Sequence, residues 1–220
     1  MHRRDRRIAL SVSAALLAAP LLTACGSDAH PGAAAVVGGE RIEVATLQAQ
    51  VKDARDAQAA SPQAAQLLQT SGDLSRRKLN GLIFDQVVDR VAEENGVTAT
   101  RAELQQTRAA FVRQSGGEDR LAAVLLQEQG VAPDQIDDVV RRNVLMNKIA
   151  AKLGITETPE GQKKLTDVFT TASKSLNIDV NPRFGAWDDS QVQLATATSP
   201  WLRQISQDPG AAPGTAPAGT

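Results

Sequence analysis

A row of apolar residues at four-residue intervals constrains the fold more than any other part of this sequence. The residues at this spacing are Leu79, Ile83, Val87 and Val91. Such a spacing, with further apolar residues beside the row, gives a helix one broad apolar face. Asp73 precedes the row and is a favourable residue type for a helix N-cap. The pattern predicts one long helix over Leu74–Glu94, capped by Asp73, whose apolar face must be covered by other elements.

Four more segments carry helical patterns after this one. They follow Thr100, span Glu118–Gln129, begin at Pro133 and open at Thr158–Pro159. Thr100 and Glu103 have the spacing of a capping box, and proline is favoured at the first position of a helix. Five helices joined by short links predict a compact, mainly α domain.

Three helix ends share the same chemistry. They are Asn95-Gly96-Val97, Gln129-Gly130-Val131 and Leu153-Gly154-Ile155. Glycine readily takes the left-handed conformation that ends a helix, and the apolar residue after it packs back on the last turn. The intervals between these junctions are unequal, which excludes a solenoid repeat. We interpret them as three helix stops.

Short extended segments are predicted on both sides of the helices. Residues 35–37 and 40–42 are separated by Gly38-Gly39, which indicates a hairpin. Residues 177–181 and 183–187 are also predicted to be extended, since Pro182 cannot lie within a helix. We expect strands from the two ends of the helical block to pair and close the domain.

The first 27 residues have the pattern of a bacterial lipoprotein signal. Four arginines precede a 15-residue apolar run, Ile8–Leu22, which is shorter than the about 20 residues of a membrane-spanning helix. The following Leu22-Thr23-Ala24-Cys25 resembles the lipobox, in which the cysteine is acylated and cleavage leaves it as the mature N-terminus. We therefore expect residues 1–24 to be a signal peptide and Cys25 to hold the lipid. The Arg pairs leave the Sec and twin-arginine export routes both open.

Composition sets the limits of the domain and excludes one class of partner. Residues 25–34 are predicted to be a flexible tether, residues 35–187 the domain, and residues 188–220 an extension that is disordered from about residue 208. Cleavage after residue 24 would remove four arginines and one aspartate, leaving a net charge of −4. This balance argues against nucleic acid as a partner.

The order of these features carries a family resemblance. An apolar segment with a Gly-Gly turn at residues 34–42 precedes a predicted helix at Val44–Ala59, the long helix and the glycine junctions, and Val180–Trp187 closes the region. This arrangement, over about residues 34–187, is similar to the SurA N-terminal-domain family, which includes the N-terminal parts of PrsA-like and PpiD-like foldases. The fold expected is a compact bundle of about five to six helices, with short strands paired near the domain ends.

The resemblance implies a function. Members of the family are extracytoplasmic chaperones that bind unfolded client proteins, often joined to parvulin-type prolyl isomerase domains, and PrsA-like members are lipoproteins. Only 33 residues follow Trp187, too few for a parvulin domain. The resemblance therefore implies a lipid-anchored chaperone at the extracytoplasmic face of the cell membrane, without isomerase chemistry.

Catalytic and metal sites are not predicted. The chain has one cysteine and no tyrosine, and its two histidines, His2 and His30, precede the domain, so no Cys/His or Ser/His pair and no imidazole metal site is expected there. Adjacent acidic residues such as Asp137 and Asp138 point apart on a helix and are interpreted as solvated surface. We expect a non-enzyme that needs no cofactor.

Apolar exposure remains as the functional surface of a chaperone. We consider Phe184, Trp187 and Trp201 as residues that contact clients, and we interpret Phe111 and Phe169 as core. The leading hypothesis is reversible binding of unfolded exported proteins by a domain attached to the bilayer through acylated Cys25. The alternative is a cell-envelope adaptor that docks one specific protein partner.

Overall fold

The computed structural model describes residues 31–69 and 71–195. Within these ranges the chain forms seven α-helices and five short strands, with 3-10 turns at Ser71–Asp73 and Pro133–Gln135. The strands are β1 (Ala33–Val37), β2 (Glu40–Glu43), β3 (Asp179–Val180), β4 (Ala186–Asp188) and β5 (Gln193–Ala195). The helices are α1 (Val44–Ala60), α2 (Ala64–Gln69), α3 (Leu74–Glu94), α4 (Arg101–Ser115), α5 (Glu118–Gln129), α6 (Ile136–Lys152) and α7 (Pro159–Ser175). The expected mainly α fold is confirmed.

The long helix α3 is the centre of the domain. It contacts α1, α6 and α7, and also β1 and β5. The apolar row predicted from sequence is fully buried, each of its four residues having an exposed fraction of 0%: Leu79, Ile83, Val87 and Val91. Burial of an aliphatic side chain contributes about 1.5–3 kcal/mol, so this row is a principal source of stability.

The helix ends follow the predicted chemistry at most junctions. At the start of α4 the Thr100 hydroxyl accepts a hydrogen bond from the Glu103 amide at 3.3 Å, and the Glu103 carboxylate accepts from the Thr100 amide at 2.8 Å. Gly96, Gly130 and Gly154 have φ angles of 62°, 66° and 61°. These left-handed residues end α3, α5 and α6, as predicted.

The long helix α3 begins at Leu74 as predicted, but the predicted cap by Asp73 and the predicted helix start at Pro133 differ from the structure. Asp73 stands directly before α3, but its side chain makes no capping hydrogen bond, because it belongs to a 3-10 turn and has a ψ of 8° rather than an extended backbone. Its carboxylate lies 3.3 Å from Arg77 instead. Pro133 opens a 3-10 turn, and α6 begins at Ile136, since Gln135 has a φ of −99° and a ψ of 1°.

A three-stranded sheet joins the two ends of the described chain. Its order is β2-β1-β3, with β1 antiparallel to both neighbours. Ala35 pairs with Val180, and Val36 with Asp179. The predicted hairpin and the predicted pairing across the helical block are therefore confirmed, and the sheet brings residues about 145 positions apart into contact.

The packed structure extends beyond both predicted limits of the domain. Ala33 and Ala34, which were expected in the tether, are 1% and 0% exposed within β1. Residues 183–187 were expected to be extended, but Phe184 donates its amide to the Asn181 carbonyl in a turn, and only Ala186–Asp188 forms a strand. β5 lies in the expected C-terminal extension and pairs with β4, placing Leu194 opposite Trp187.

Most of the buried apolar side chains that the structure describes belong to three clusters around the helices. The first joins β1 and β2 to α1 and the start of α3, and the second lies between α3, α6 and α7. The third joins α4, α5 and α6. Only the first two include α3, so the α4–α5 pair forms a peripheral part of the domain.

Candidate functional site

Phe184 and Trp187, two of the predicted client-contact residues, lie against the core. Phe184 is 9% exposed, and the Arg183 guanidinium lies 4.9 Å from the centre of its ring. Trp187 is half-buried and packs against the first and second clusters. Little of either ring is accessible from solvent, so neither offers much surface to a client.

The polar edge of Trp187 fixes the β4–β5 hairpin to α7. The indole Nε1 donates to the Ser173 hydroxyl at 2.7 Å, and that hydroxyl in turn donates to the Asp189 carboxylate. Ser173 is fully buried, with an exposed fraction of 0%. A buried hydroxyl needs such partners, so Trp187 closes the core between β4 and α7.

Trp201 and Cys25 lie outside the described residues. Both stay predictions, the first as a client contact and the second as the lipid attachment site. His30 also lies outside the described ranges.

The remaining aromatic residues differ in their surroundings. Phe169 is 4% exposed and stacks on Phe84 with the ring centres 5.9 Å apart, in agreement with its interpretation as core. Phe111 is only half-buried in the third cluster. No residue of α4 is fully buried, and its apolar residues Leu104, Phe111 and Val112 remain in part accessible. We name these three side chains the α4 apolar face.

Ion pairs attach α4 to its neighbours. Lys148 on α6 lies 2.6 Å from Glu103, and Arg108 pairs with both Glu118 and Asp137. The hydrogen bonds from Lys148 and Thr100 lower the pKa of Glu103 to about 2. α4 therefore depends on charge pairs and on partly buried contacts, which are weaker than a closed core.

The second notable feature is a cleft between α1, α3, α5 and α6. It has a volume of about 310 Å³ and is lined largely by polar side chains, with Leu82, Val131 and Val139 as its apolar part. Lys78, on α3, is 8% exposed at its base. We name this feature the Lys78 cleft.

Lys78 bonds to a neutral side chain. Its ammonium group donates to the Gln135 Oε1 atom, which also accepts from the Ala132 amide at 3.3 Å. Gln135 in turn donates to the Gln50 carbonyl at 3.2 Å, so this network joins α3, the 3-10 turn and α1. Burial lowers the pKa of Lys78 to about 8, because removing the ammonium from water disfavours its charged form.

An ion pair forms another wall of the Lys78 cleft. Arg142 donates to both oxygens of Asp85, at 2.6 and 3.3 Å. Burial raises the pKa of Asp85, while the adjacent Arg142 opposes this shift. The pair links α3 to α6, and the charges of Arg142 and Asp85 balance each other.

Sequence reasoning did not identify the Lys78 cleft. A readable signal exists, because Lys78 falls in the row Leu74–Lys78–Leu82, where a charge interrupts apolar residues at four-residue spacing. Its partner Gln135 is 57 residues away, and no local pattern connects them.

Two further findings concern the described residues as a whole. Among residues 31–69 and 71–195, no group of three or more His, Cys, Asp or Glu side chains is arranged to hold a metal ion. Within the same ranges, no helix combines the length and apolar character needed to cross a bilayer.

The fold defines a small helical domain in which β1, before the helices, pairs with β3, after them. The family model described as SurA-like N-terminal domain matches residues 1–150, about two thirds of the chain. The protein therefore belongs to the SurA-like N-terminal domain family. The matched range ends within α6, so α7 and β3–β5 lie beyond it.

Family membership carries a general functional statement. SurA-like N-terminal domains are chaperone-like modules associated with protein folding and with binding client proteins. Comparison with curated proteins and with solved structures gave no match.

Proposed function

We propose that this protein is a lipid-anchored chaperone that binds unfolded exported proteins at the extracytoplasmic face of the membrane, without prolyl isomerase chemistry. The match to the SurA-like N-terminal domain over residues 1–150 carries this proposal. The lipobox-like residues 22–25 support the anchor. Two acyl chains hold a protein stably to a bilayer, since each buried methylene contributes about 0.8 kcal/mol.

The α4 apolar face is the surface that best suits client binding. An unfolded chain presents short apolar segments, and a surface that binds many such segments must be able to repack. The three side chains of this face are half-buried, and α4 has no fully buried residue. The helix itself is held in place partly by ion pairs. This helix can adjust its position at a lower cost than α3, whose apolar row is closed.

Binding without covalent chemistry is consistent with the residues available. Residues 31–195 contain no histidine, cysteine or tyrosine. In the proposed mechanism a client segment packs against the α4 apolar face, is kept from other unfolded chains and is released unchanged. Its affinity comes from the burial of apolar surface, which contributes about 25 cal/mol of free energy per Å².

Light scattering from an aggregating, chemically unfolded protein tests client binding. The soluble form of the mature chain, residues 26–220 without the lipid-bearing Cys25, is added at rising molar ratios, and we expect dose-dependent suppression. The variant Phe111→Ser should suppress less. Leu121→Ala is the matched control, because Leu121 is 4% exposed in the same cluster and its truncation weakens packing without changing the outer face. Equal suppression by both variants and the unmodified chain would contradict the role of this face.

Metabolic labelling with a radioactive fatty acid tests the anchor. The full chain expressed in a bacterial host should take up label and sediment with membranes, whereas Cys25→Ser should do neither. Label retained by Cys25→Ser would contradict attachment at this residue.

One observation favours the alternative of an adaptor with a single protein partner. Among the described residues, Leu68 is the one large apolar residue that is largely exposed, with an exposed fraction of 47%. A chaperone with many clients commonly presents a larger apolar area. A saturable one-to-one complex with a single envelope protein, together with no effect in the light-scattering assay, would favour the adaptor.

A further inference from the structure

The Lys78 ammonium is a buried cation without an anionic partner in the described part of the chain. No carboxylate of those residues lies within 4.0 Å of it, and Gln135 Oε1 is its one hydrogen-bond acceptor there. An ammonium group has three N–H donors, so two remain for another acceptor. Since the pKa of Lys78 is about 8, its ammonium form is present in about nine-tenths of the molecules at pH 7.

The structure leaves open space beside this cation. The Lys78 cleft, of about 310 Å³, is at the lower end of the range for small-molecule sites. That space suits a carboxylate together with one or two amino-acid residues. Lys78 has an exposed fraction of only 8%. A charged group that enters the cleft would therefore interact with the ammonium group where little water screens the attraction.

Polar groups near Lys78 can complete the coordination of an anion. Asn80 also lines the cleft, but it stands two positions after Lys78 on α3, and its Oδ1 accepts from the Leu194 amide of β5 at 2.7 Å, so its side chain belongs to the β5 side of the helix. Arg77 lines the cleft as well. Lys78 and Arg77 are therefore the donors of α3 that border the open space.

The acidic residues of the cleft restrict the kind of anion. Asp85 is occupied by Arg142, but Glu128 and Asp138 also line the space, and Asp134 lies near enough to raise the pKa of Lys78. These carboxylates would repel a phosphate or a nucleic acid. A singly charged group of small size is the anion that the cleft can accept.

We propose that the Lys78 cleft binds a single carboxylate of a polypeptide, held by the Lys78 ammonium group, with an adjacent residue against Leu82, Val131 and Val139. The carboxylate is either the free C-terminus of the peptide or an Asp or Glu side chain. This inference rests on the proposed function in taking a polypeptide as the ligand, but it concerns a different surface from the α4 apolar face.

Fluorescence anisotropy with three labelled, otherwise uncharged hexapeptides tests the proposal at pH 7 and low salt. One has a free C-terminus, the second is its C-terminal amide, and the third is the amide with a single internal Glu. We expect at least one of the two carboxylate peptides to bind the mature chain at least tenfold more tightly than the uncharged amide. The carboxylate peptide that does so identifies the source.

The dependence on Lys78 is tested with two variants. Lys78→Met should reduce the tenfold preference to less than twofold, whereas Lys52→Met should retain it, since Lys52 is an exposed residue of α1 whose side chain is 73% accessible and pairs with Asp56. Circular dichroism establishes that both variants are folded. Equal binding of all three peptides, no binding, or a preference that persists in Lys78→Met would overturn the proposal.

A second measurement on the unmodified chain does not depend on any variant. In a nuclear magnetic resonance titration with sodium acetate, the side-chain amide of Gln135, whose Oε1 atom accepts from Lys78 in the cleft, should shift, while sodium chloride at equal concentration should leave it in place. Acetate shifts confined to residues outside the Lys78 cleft would overturn the proposal. Peptide binding through Lys78 without suppression of aggregation would uphold this site and contradict the chaperone function, and the reverse result would do the opposite.

Discussion

Replacing Lys78 by methionine is expected to stabilise the protein at pH 7. The native pKa of about 8 lies below the ordinary value of 10.5, a difference that corresponds to an upper limit of about 3 kcal/mol for burying the charged form. Because the ammonium group still borders an open cleft, we reduce this to about 1–2 kcal/mol. Methionine fills a similar length without a charge to desolvate.

The hydrogen bond lost in this variant removes only part of that gain. Gln135 Oε1 keeps the Ala132 amide as a donor at 3.3 Å, so no buried acceptor is left unpaired. We therefore expect a net gain of about 1 kcal/mol, which for a chain of this size raises Tm by about 2–4 °C.

The pH dependence gives this prediction its sign. A lysine whose native pKa is below its unfolded value disfavours the folded state below about pH 8, and this penalty disappears as the pH rises to about 10.5. The advantage of Lys78→Met over the unmodified chain should therefore shrink between pH 8 and pH 10.5. Lys52→Met should show no comparable gain at any pH.

Thermal unfolding followed by circular dichroism at pH 7 and pH 10 measures both effects. A Tm for Lys78→Met that falls by several degrees at pH 7 would refute the reasoning. It would mean that the buried ammonium contributes more through its hydrogen bond and its long-range attraction to nearby carboxylates than burial costs.

Three other experiments, two of them with a control variant, test the packing of the domain. Ile83→Ala, at a position that is 0% exposed, should lower the free energy of unfolding in urea by about 2–5 kcal/mol. The control Leu68→Ala, at an exposed position, should change it little. Similar values for the two variants would contradict the central position of α3. Gly130→Ala should lower Tm more than Gly96→Ala. Both glycines have a positive φ, but only at Gly130 would the new Cβ lie 2.7 Å from a methyl group of Leu74. The opposite order of Tm values would be inconsistent with this contact. Glu103→Ala, which removes both the capping box and the pair with α6, should speed amide hydrogen exchange in α4 selectively, and unchanged exchange there would disprove the attachment described above.

The elements that sequence analysis predicted well have strong local signals. The four-residue apolar row defines α3 because an apolar residue recurs on one face at about every turn. The capping box and the left-handed glycines mark where helices begin and end. Pairing of β1 with β3 followed from the expectation that the domain ends meet.

The errors occurred where tertiary contacts decide the local structure. α2 is six residues long and carries no capping signal, and β5 is three residues long, so neither offers a full period of a pattern. Pro133 was expected to begin a helix, but Gln135 instead enters the hydrogen-bond network with Lys78 and Gln50.

The candidate site was less predictable than the fold. Phe184 and Trp187 were considered because they are large aromatic residues, and local sequence does not distinguish an exposed ring from one that closes a core. The α4 apolar face appears in sequence as an ordinary helix stripe. Its partial exposure results from the number of neighbours around α4, which only the assembled structure determines.

The affinity of the mature chain for one polypeptide in two states tests the proposed function most directly. One sample is folded, and the other is kept unfolded by reduction and carbamidomethylation of its cysteines, which adds no charged group. We expect saturable binding to the unfolded form and none to the folded form, with weaker binding by Phe111→Ser. Equal affinity for both forms, or binding to neither, would contradict a chaperone that recognises unfolded clients.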